Sequence, residues 1–412
     1  MKAYVITVGD ELLEGFTLNT NASFLGQVLS SHGVRVVRMT SVGDRREEIV
    51  EVLREAMGMA DIVLVTGGLG PTPDDLTREA AALAFSRRLV LNEQYRESLK
   101  EKFREWGLDF TREDERQAFL PEGAAPLPNP IGICGFRMEA EGKVAFFFPG
   151  VPRELREMVK GSLVPFLQER AGEAVLSRLF KVFGPTESGV KELIEGFKGN
   201  FTLAFLPSFP EIHLRLTLRG RDREELLKEM EGLEEELRRR LGLHLFGTED
   251  DTMEKVVGEL LRKRGATIAT AESCTGGLVA HRITEVPGSS DYFEGGVVSY
   301  SNRAKVELLG VPEEVIERHG PVSEETARLM AQGIRERRRT TFGLSTTGIA
   351  GPTGGTPEAP VGRVFIALAT KDHVEVRRYD LFGDRSQIKL LASEIALDRV
   401  RRFLLRNPDF RP

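Results

Sequence analysis

Thr270-Ala271-Glu272-Ser273-Cys274-Thr275-Gly276-Gly277 stands between the run 266–269 and Leu278-Val279-Ala280-His281-Arg282-Ile283. An apolar run, then small polar residues and glycines, then apolar residues at helical spacing predict a strand, a tight turn and a helix start. The serine falls on the turn. Backbone N–H groups at a helix start point outward with partial positive charge, and paired glycines let a ligand come close, so the place suits a nucleophile. Taken alone, Ser273 or Thr275 is more simply the cap of that helix, the commonest use of Ser and Thr at such a junction. Cys274 is a second candidate nucleophile, although a small buried residue is the commoner role for a lone Cys.

The surrounding segment, 250–412, reads as α/β. An amphipathic helix over 253–264 leads into the opening stretch; a strand over 295–300, a helix from 301 to about 310, a helix capped by Ser323, and a strand over 341–346 follow. Thr347-Gly348-Ile349-Ala350-Gly351-Pro352-Thr353-Gly354-Gly355-Thr356-Pro357 comes next, then β-rich runs over 364–369 and 374–381 and a final helix over 385–405. Three groups thus fall at strand ends: Ser273 with Thr275, Gly276 and Gly277; Tyr300 with Lys305; and the loop carrying Gly348, Gly351, Thr353, Gly354 and Gly355. A serine hydroxyl needs a group to take its proton, a lysine made neutral by desolvation can do so, and a tyrosine can orient or relay it. None of the three groups contains a histidine, so a Ser-His triad has only His281 and His319 to draw on. The glycine loop offers backbone donors to a phosphate or to the oxyanion of acyl transfer.

The first segment, 1–171, alternates β-formers and helical patterns: strands over 3–8, 34–37 and 62–65, helices over 21–32 and 46–59, then a helix near 94–106, a strand over 142–148 and a helix over 154–169. This order predicts a parallel sheet with helices on both faces and ligands beyond the carboxyl ends of the strands. Those ends carry Asp10 and Glu11, Asp44, and Thr66-Gly67-Gly68-Leu69-Gly70-Pro71-Thr72-Pro73-Asp74-Asp75-Leu76-Thr77. Gly67, Gly68, Gly70 and Thr72 can frame an anion, while Asp74 and Asp75 can hold a divalent cation or orient water.

The middle segment, 172–249, predicts a small α+β unit with strands over 179–183, 201–206 and 212–218 and a charged helix over 223–241. Gly196-Phe197-Lys198-Gly199 satisfies a GxxG pattern but lies between a helix and a strand, not between two helices. A spacer or dimerisation module is the favoured reading. The chain has 412 residues, so two or three domains are expected. Its 41% hydrophobic and 29% charged residues are ordinary for a soluble protein, and its net charge of -6 gives no general drive toward nucleic acid or anionic membrane. With no apolar run of membrane-spanning length and no signal-peptide pattern after Met1-Lys2, a cytoplasmic location is expected. Two cysteines, Cys134 and Cys274, make no disulfide framework and lack zinc-ligand spacing.

The pattern from Gly67 to Thr77 resembles the molybdopterin-binding fold, with Asp75 and Asp44 at its acidic positions. Pro149-Gly150-Val151-Pro152-Arg153-Glu154 resembles that fold as it occurs in the competence/damage-inducible CinA family. Thr-Ala-Glu-Ser-Cys-Thr-Gly-Gly, Tyr-Ser-Asn-x-Ala-Lys and Gly-Ile-Ala-Gly-Pro-Thr-Gly-Gly are similar to that family's C-terminal domain, the nicotinamide-nucleotide amidases. The resemblance implies a three-layer molybdopterin-binding-like domain, a KH-like α+β middle domain and a C-terminal α/β amidase domain. It implies hydrolysis of nicotinamide mononucleotide to nicotinic acid mononucleotide and ammonia, with Ser273 as nucleophile, Lys305 as base and Tyr300 assisting, and with no cofactor. For the N-terminal domain it implies an ADP-ribose pyrophosphatase that uses a divalent cation such as magnesium at Asp74 and Asp75. A homodimer acting on these small nucleotides, without nucleic acid or membrane as partner, is the expectation.

Overall fold

The computed structural model describes residues 1–170, 174–357 and 359–410; the expected domain boundary at 171/172 lies outside them. Packing divides the chain into two compact units, one of Met1–Ser177 with Leu218–Met230 and one of Arg178–Thr217 with Glu231–Pro412.

The first unit is built on a six-stranded sheet ordered Arg35–Val42, Lys2–Val8, Ile62–Thr66, Lys143–Phe148, Gly135–Ala140, Ala125–Leu127. The first four strands run parallel, and Gly135–Ala140 pairs antiparallel on both sides, so the sheet is mixed where alternation predicted parallel strands throughout. Gly142 turns Gly135–Ala140 back onto Lys143–Phe148, and so short a link permits only antiparallel pairing. Ile62–Thr66 is buried at every position, because alternate residues serve opposite faces and helices cover both. Tyr4, Ile6, Val63, Val65 and Phe147 fill one core, and Ala3, Val5, Ile62, Leu64 and Phe146 the other, at about 1.5–3 kcal/mol for each large side chain removed from water. The helix expected over 154–169 is interrupted: a π-helical turn, Val159–Leu163, joins Pro152–Met158 to Val164–Arg170. Pro165 has no N–H to donate back along the helix, and a widened turn accommodates that loss.

Two further sheets lie beyond the first domain in sequence. The middle one is ordered Phe201–Ser208, Glu211–Gly220, Ala174–Val182, Leu245–Thr248. The C-terminal one is ordered Phe293–Val298, Ile268–Glu272, Phe342–Gly348, Arg363–Ala369, Val374–Asp380. Its first three strands are parallel, and Arg363–Ala369 pairs antiparallel on both sides; the four residues between Ala369 and Val374 are too few for a crossover to a parallel neighbour. The long final helix, Arg385–Arg406, buries Ile388, Ala392, Ala396, Leu397, Val400 and Leu404 at helical spacing. The strand Ile268–Glu272 places Glu272 between Val298 and Thr346, so residues 273, 299 and 347 lie together at one end of the sheet.

Candidate functional site

That register builds the site. The Ser273 N–H donates to the Thr346 carbonyl at 2.9 Å and the Ser299 N–H to the Glu272 carbonyl at 2.8 Å, which fixes the turn after each strand. Two residues on, Ser301 caps the helix Asn302–Leu309 by accepting from the Ala304 N–H. Lys305 thereby faces inward, 1% exposed. Its amine donates to the Ser299 carbonyl at 2.8 Å and to the Ser273 hydroxyl at 3.1 Å. Burial lowers the Lys305 ammonium to about 8, because a cation stripped of water is disfavoured. Ser273 is itself 8% exposed. The structure brings Ser273 and Lys305 together.

Helix capping falls to neither Ser273 nor Thr275. The helix Leu278–Thr284 has no side-chain bond from its own N-cap, Gly277, which sits at φ 93°. The buried Glu272 carboxylate caps it from the preceding strand, accepting from the N–H groups of Gly277, Val279 and Ala280 at 2.9, 3.0 and 2.8 Å and from the Thr275 hydroxyl at 2.7 Å. The sequence stretch held this residue in view, yet a carboxylate five to eight residues before its partners matches no local capping spacing. Its consequence corrects the reading of the turn: the helix start is already occupied by an anion and offers these N–H groups to no ligand. Thr275, hydrogen-bonded to Glu272 and to Thr346, is fully buried and serves the turn. Burial pushes the Cys274 thiol up to about 12, which leaves it protonated and unreactive at neutral pH.

Tyr300 is 60% exposed, beyond the end of its strand. Its hydroxyl accepts from Arg385 at 2.7 Å and makes no hydrogen bond to Ser273 or Lys305. Arg385 also donates to the Gly351 carbonyl at 2.7 Å, so one guanidinium ties Tyr300 to the glycine loop. That loop runs back beside its own strand: the Ile349 N–H donates to the Arg363 carbonyl and the Gly362 N–H to the Ile349 carbonyl. Thr353, Gly354 and Gly355 are exposed on it, while Gly348 is partly and Gly351 fully buried. One turn beyond Arg385, Lys389 approaches the nucleophile turn; a Cβ added to Gly276 would lie 3.6 Å from its amine. Both cations sit on the final helix, far in sequence from every glycine motif, and no spacing announced them.

In the N-terminal domain the strand ends are cross-tied. Asp10 and Asp44 each accept the other's backbone N–H, at 3.2 and 2.9 Å. Burial raises the Asp44 carboxyl, the Asp10 N–H opposes this, and Asp10, Glu11 and Asp74 raise it further. Gly67, Gly68 and Gly70 belong to a loop braced from its own helix: Thr77 donates to the Gly67 carbonyl at 2.8 Å, and the buried Arg78 donates to the carbonyls of Leu69 and Gly70. At Gly67 a Cβ would meet the Val8 carbonyl at 2.1 Å, so only glycine lets the loop pass the first strand. Asp75 accepts from the N–H and hydroxyl of Thr72 at 2.9 and 2.5 Å. Among the described residues, no three or more His, Cys, Asp or Glu side chains form a group that could hold a metal ion by themselves. A cavity of about 90 Å³ opens beside these ends, lined by Thr7, Glu11, Asn19, Asn21 and Thr66 among others; both asparagines escaped the sequence reading.

The chain thus carries two α/β domains, the second with a buried serine–lysine pair at its strand ends, separated in sequence by a small α+β domain. Residues 4–169 match the probable molybdopterin binding domain family, 177–247 the damage-inducible protein CinA KH domain, and 250–404 the CinA C-terminal domain. A CinA-like protein of Kosmotoga olearia is 44% identical over 411 residues, with 98% of this chain and 99% of that protein covered. Another, from Geotalea uraniireducens, is 40% identical over 411 residues, covering 98% of each. The solved CinA structure from Thermoplasma acidophilum is 38% identical, with a TM-score of 0.37, and covers 39% of this chain and 94% of that one. The chain belongs to the CinA family, with a molybdopterin-binding-like N-terminal domain, a KH-like middle domain and a CinA C-terminal domain. Among the described residues, no helix is long and apolar enough to cross a membrane.

Proposed function

We propose that the C-terminal domain hydrolyses the carboxamide of nicotinamide mononucleotide to nicotinic acid mononucleotide and ammonia. The observation that carries this reading is the Lys305 amine, 3.1 Å from the Ser273 hydroxyl and depressed to about 8 by burial. In its neutral form the amine keeps one N–H on the Ser299 carbonyl and turns its lone pair to the serine proton. Ser273 Oγ then bonds to the amide carbon as Lys305 takes the proton. The tetrahedral intermediate collapses, Lys305 returns that proton to the departing nitrogen, and ammonia leaves a nicotinoyl ester on Ser273. Water, deprotonated by the same amine, cleaves the ester and restores the serine. Glu272 takes three N–H groups of the helix start but not those of Cys274 and Thr275, so stabilising the oxyanion falls to the turn. Arg385 and Lys389 supply the positive charge that a nucleotide phosphate needs, and Tyr300, held by Arg385, forms part of the wall. The test is incubation of the full chain with nicotinamide mononucleotide. Equal amounts of ammonia and nicotinic acid mononucleotide support the reading; neither product contradicts it.

For the N-terminal domain the proposal is divalent-cation-dependent hydrolysis of ADP-ribose, at the strand ends that bring Asp10, Glu11, Asp44 and Asp74 into one field. Asp75 is engaged by Thr72, so a magnesium ion would be held by one or two of these carboxylates, with substrate phosphate and water oxygens completing its shell. AMP and ribose phosphate from ADP-ribose would support this; tight binding without turnover would reduce the domain to a nucleotide- or pterin-binding module. The GxxG of the middle domain follows the helix Glu187–Leu193 and precedes the strand Phe201–Ser208, which favours a spacer or dimerisation module in a cytoplasmic homodimer over a nucleic-acid adaptor.

A further inference from the structure

The C-terminal domain has a second concave surface, at the far end of its final helix. A groove of about 400 Å³ lies between the edge strand Val374–Asp380 and the last three turns of the helix Arg385–Arg406. It shares no lining residue with the serine–lysine site. Arg402 is about 25 Å along the helix from Arg385, at about 1.5 Å per residue.

The groove concentrates positive charge on a chain whose net charge is -6. Arg377, Arg399, Arg402 and Arg406 line it against only two carboxylates, Glu375 and Asp398. Both carboxylates are already shared. Glu375 pairs with Arg377 at 3.0 Å and with Arg399, and Asp398 pairs with Arg402 at 2.5 Å and with Arg401 at 2.6 Å. Arg406 has no ion-pair or hydrogen-bond partner among the described residues. Arg399, with its side chain 10% exposed, keeps a buried Nε without a hydrogen-bond partner. Tyr379, whose hydroxyl accepts from Arg399 at 3.2 Å, and Phe403 add aromatic wall.

We infer that this groove is a binding site for a small phosphorylated anion, distinct from the catalytic centre. Planar guanidiniums that outnumber their carboxylates suit phosphate oxygens, and the volume is within the range of small-molecule sites. A second copy of the chain is a poorer occupant, because the same basic surface apposed across a twofold axis repels itself.

The test uses the full chain and the double variant Arg377→Glu/Arg406→Glu, which alters two exposed side chains outside the catalytic site. Pyrophosphate binding is measured by calorimetry at physiological salt, with sedimentation and ammonia release measured in parallel. The expected result is that the variant loses one of the wild type's pyrophosphate sites or weakens it at least tenfold, with oligomeric state and ammonia release unchanged. Identical pyrophosphate binding in both proteins would overturn the inference. So would loss of binding together with a change of oligomeric state, which would make the groove a subunit interface.

Discussion

The Lys305 amine and the Ser273 hydroxyl, 32 residues apart in sequence, stand 3.1 Å apart in a buried site, with the amine held from its other side by the Ser299 carbonyl at 2.8 Å. Neither residue is placed by its own helix or turn alone. The parallel register that sets Glu272 beside Val298 and Thr346 brings both turns to one end of the sheet, and the Ser301 cap then aims Lys305 inward.

The pH dependence of ammonia release follows from the lysine. Below about 8 the buried amine carries a proton and has no lone pair for the serine; above it the amine is neutral. The rate therefore rises with pH through a single limb near pH 8 and then levels. A profile flat from pH 6 to pH 9 would exclude Lys305 as the base.

The same depression makes a stability prediction. The folded-state value of Lys305 lies below its ordinary 10.5, so between about pH 8 and 10.5 the unfolded chain holds a proton that the folded chain has released. Stability then rises with pH through that window. Lys305→Met lacks this rise and is more stable than the wild type at pH 7, by about 1–3 kcal/mol after the lost hydrogen bonds are discounted. Denaturant unfolding at pH 7 and pH 10 measures the difference, which should shrink at the higher pH.

Much of this was legible in the sequence. The α/β order, the helices Arg46–Met59, Arg223–Leu241 and Met253–Arg264, and the Ser273 and Lys305 motifs all rest on local periodicity and spacing. Glu272, Arg385 and Lys389 were not, because their roles arise from tertiary placement. Glu272 caps a helix from a neighbouring strand, and two cations reach the site from the final helix. The antiparallel pairings toward one edge of each main sheet were hidden for a similar reason: periodicity reports a strand, not its direction.

Glu272 is predicted to matter through position. Glu272→Ala leaves three backbone N–H groups and the Thr275 hydroxyl without their acceptor, costing about 2–4 kcal/mol and lowering the rate at saturating substrate more than it raises KM. Glu272→Gln keeps the shape and one acceptor oxygen, so it should recover part of the stability. Equal stability of the alanine variant and the wild type would contradict the capping role.

Arg385 and Lys389 are predicted to bind the phosphate, not to assist the chemistry. Arg385→Ala and Lys389→Ala should each raise KM for nicotinamide mononucleotide by about tenfold or more while changing kcat less, the signature of lost uniform binding. The preference for the mononucleotide over the unphosphorylated riboside should narrow in step. An unchanged preference would place the phosphate elsewhere.

Asp44→Asn tests the independence of the N-terminal domain. The variant should lose most ADP-ribose hydrolysis in the presence of magnesium while ammonia release from nicotinamide mononucleotide stays within twofold of the wild type. Loss of both activities would show that the substitution acts through folding of the whole chain.

Ser273→Ala in the full chain tests the central claim most directly. The side chain caps nothing and leaves the Ser273 N–H bond to Thr346 in place, so the variant should unfold within about 1 kcal/mol of the wild type. Its ammonia release from nicotinamide mononucleotide should fall to background. Release at the wild-type rate from the folded variant would remove Ser273 as the nucleophile and the account with it.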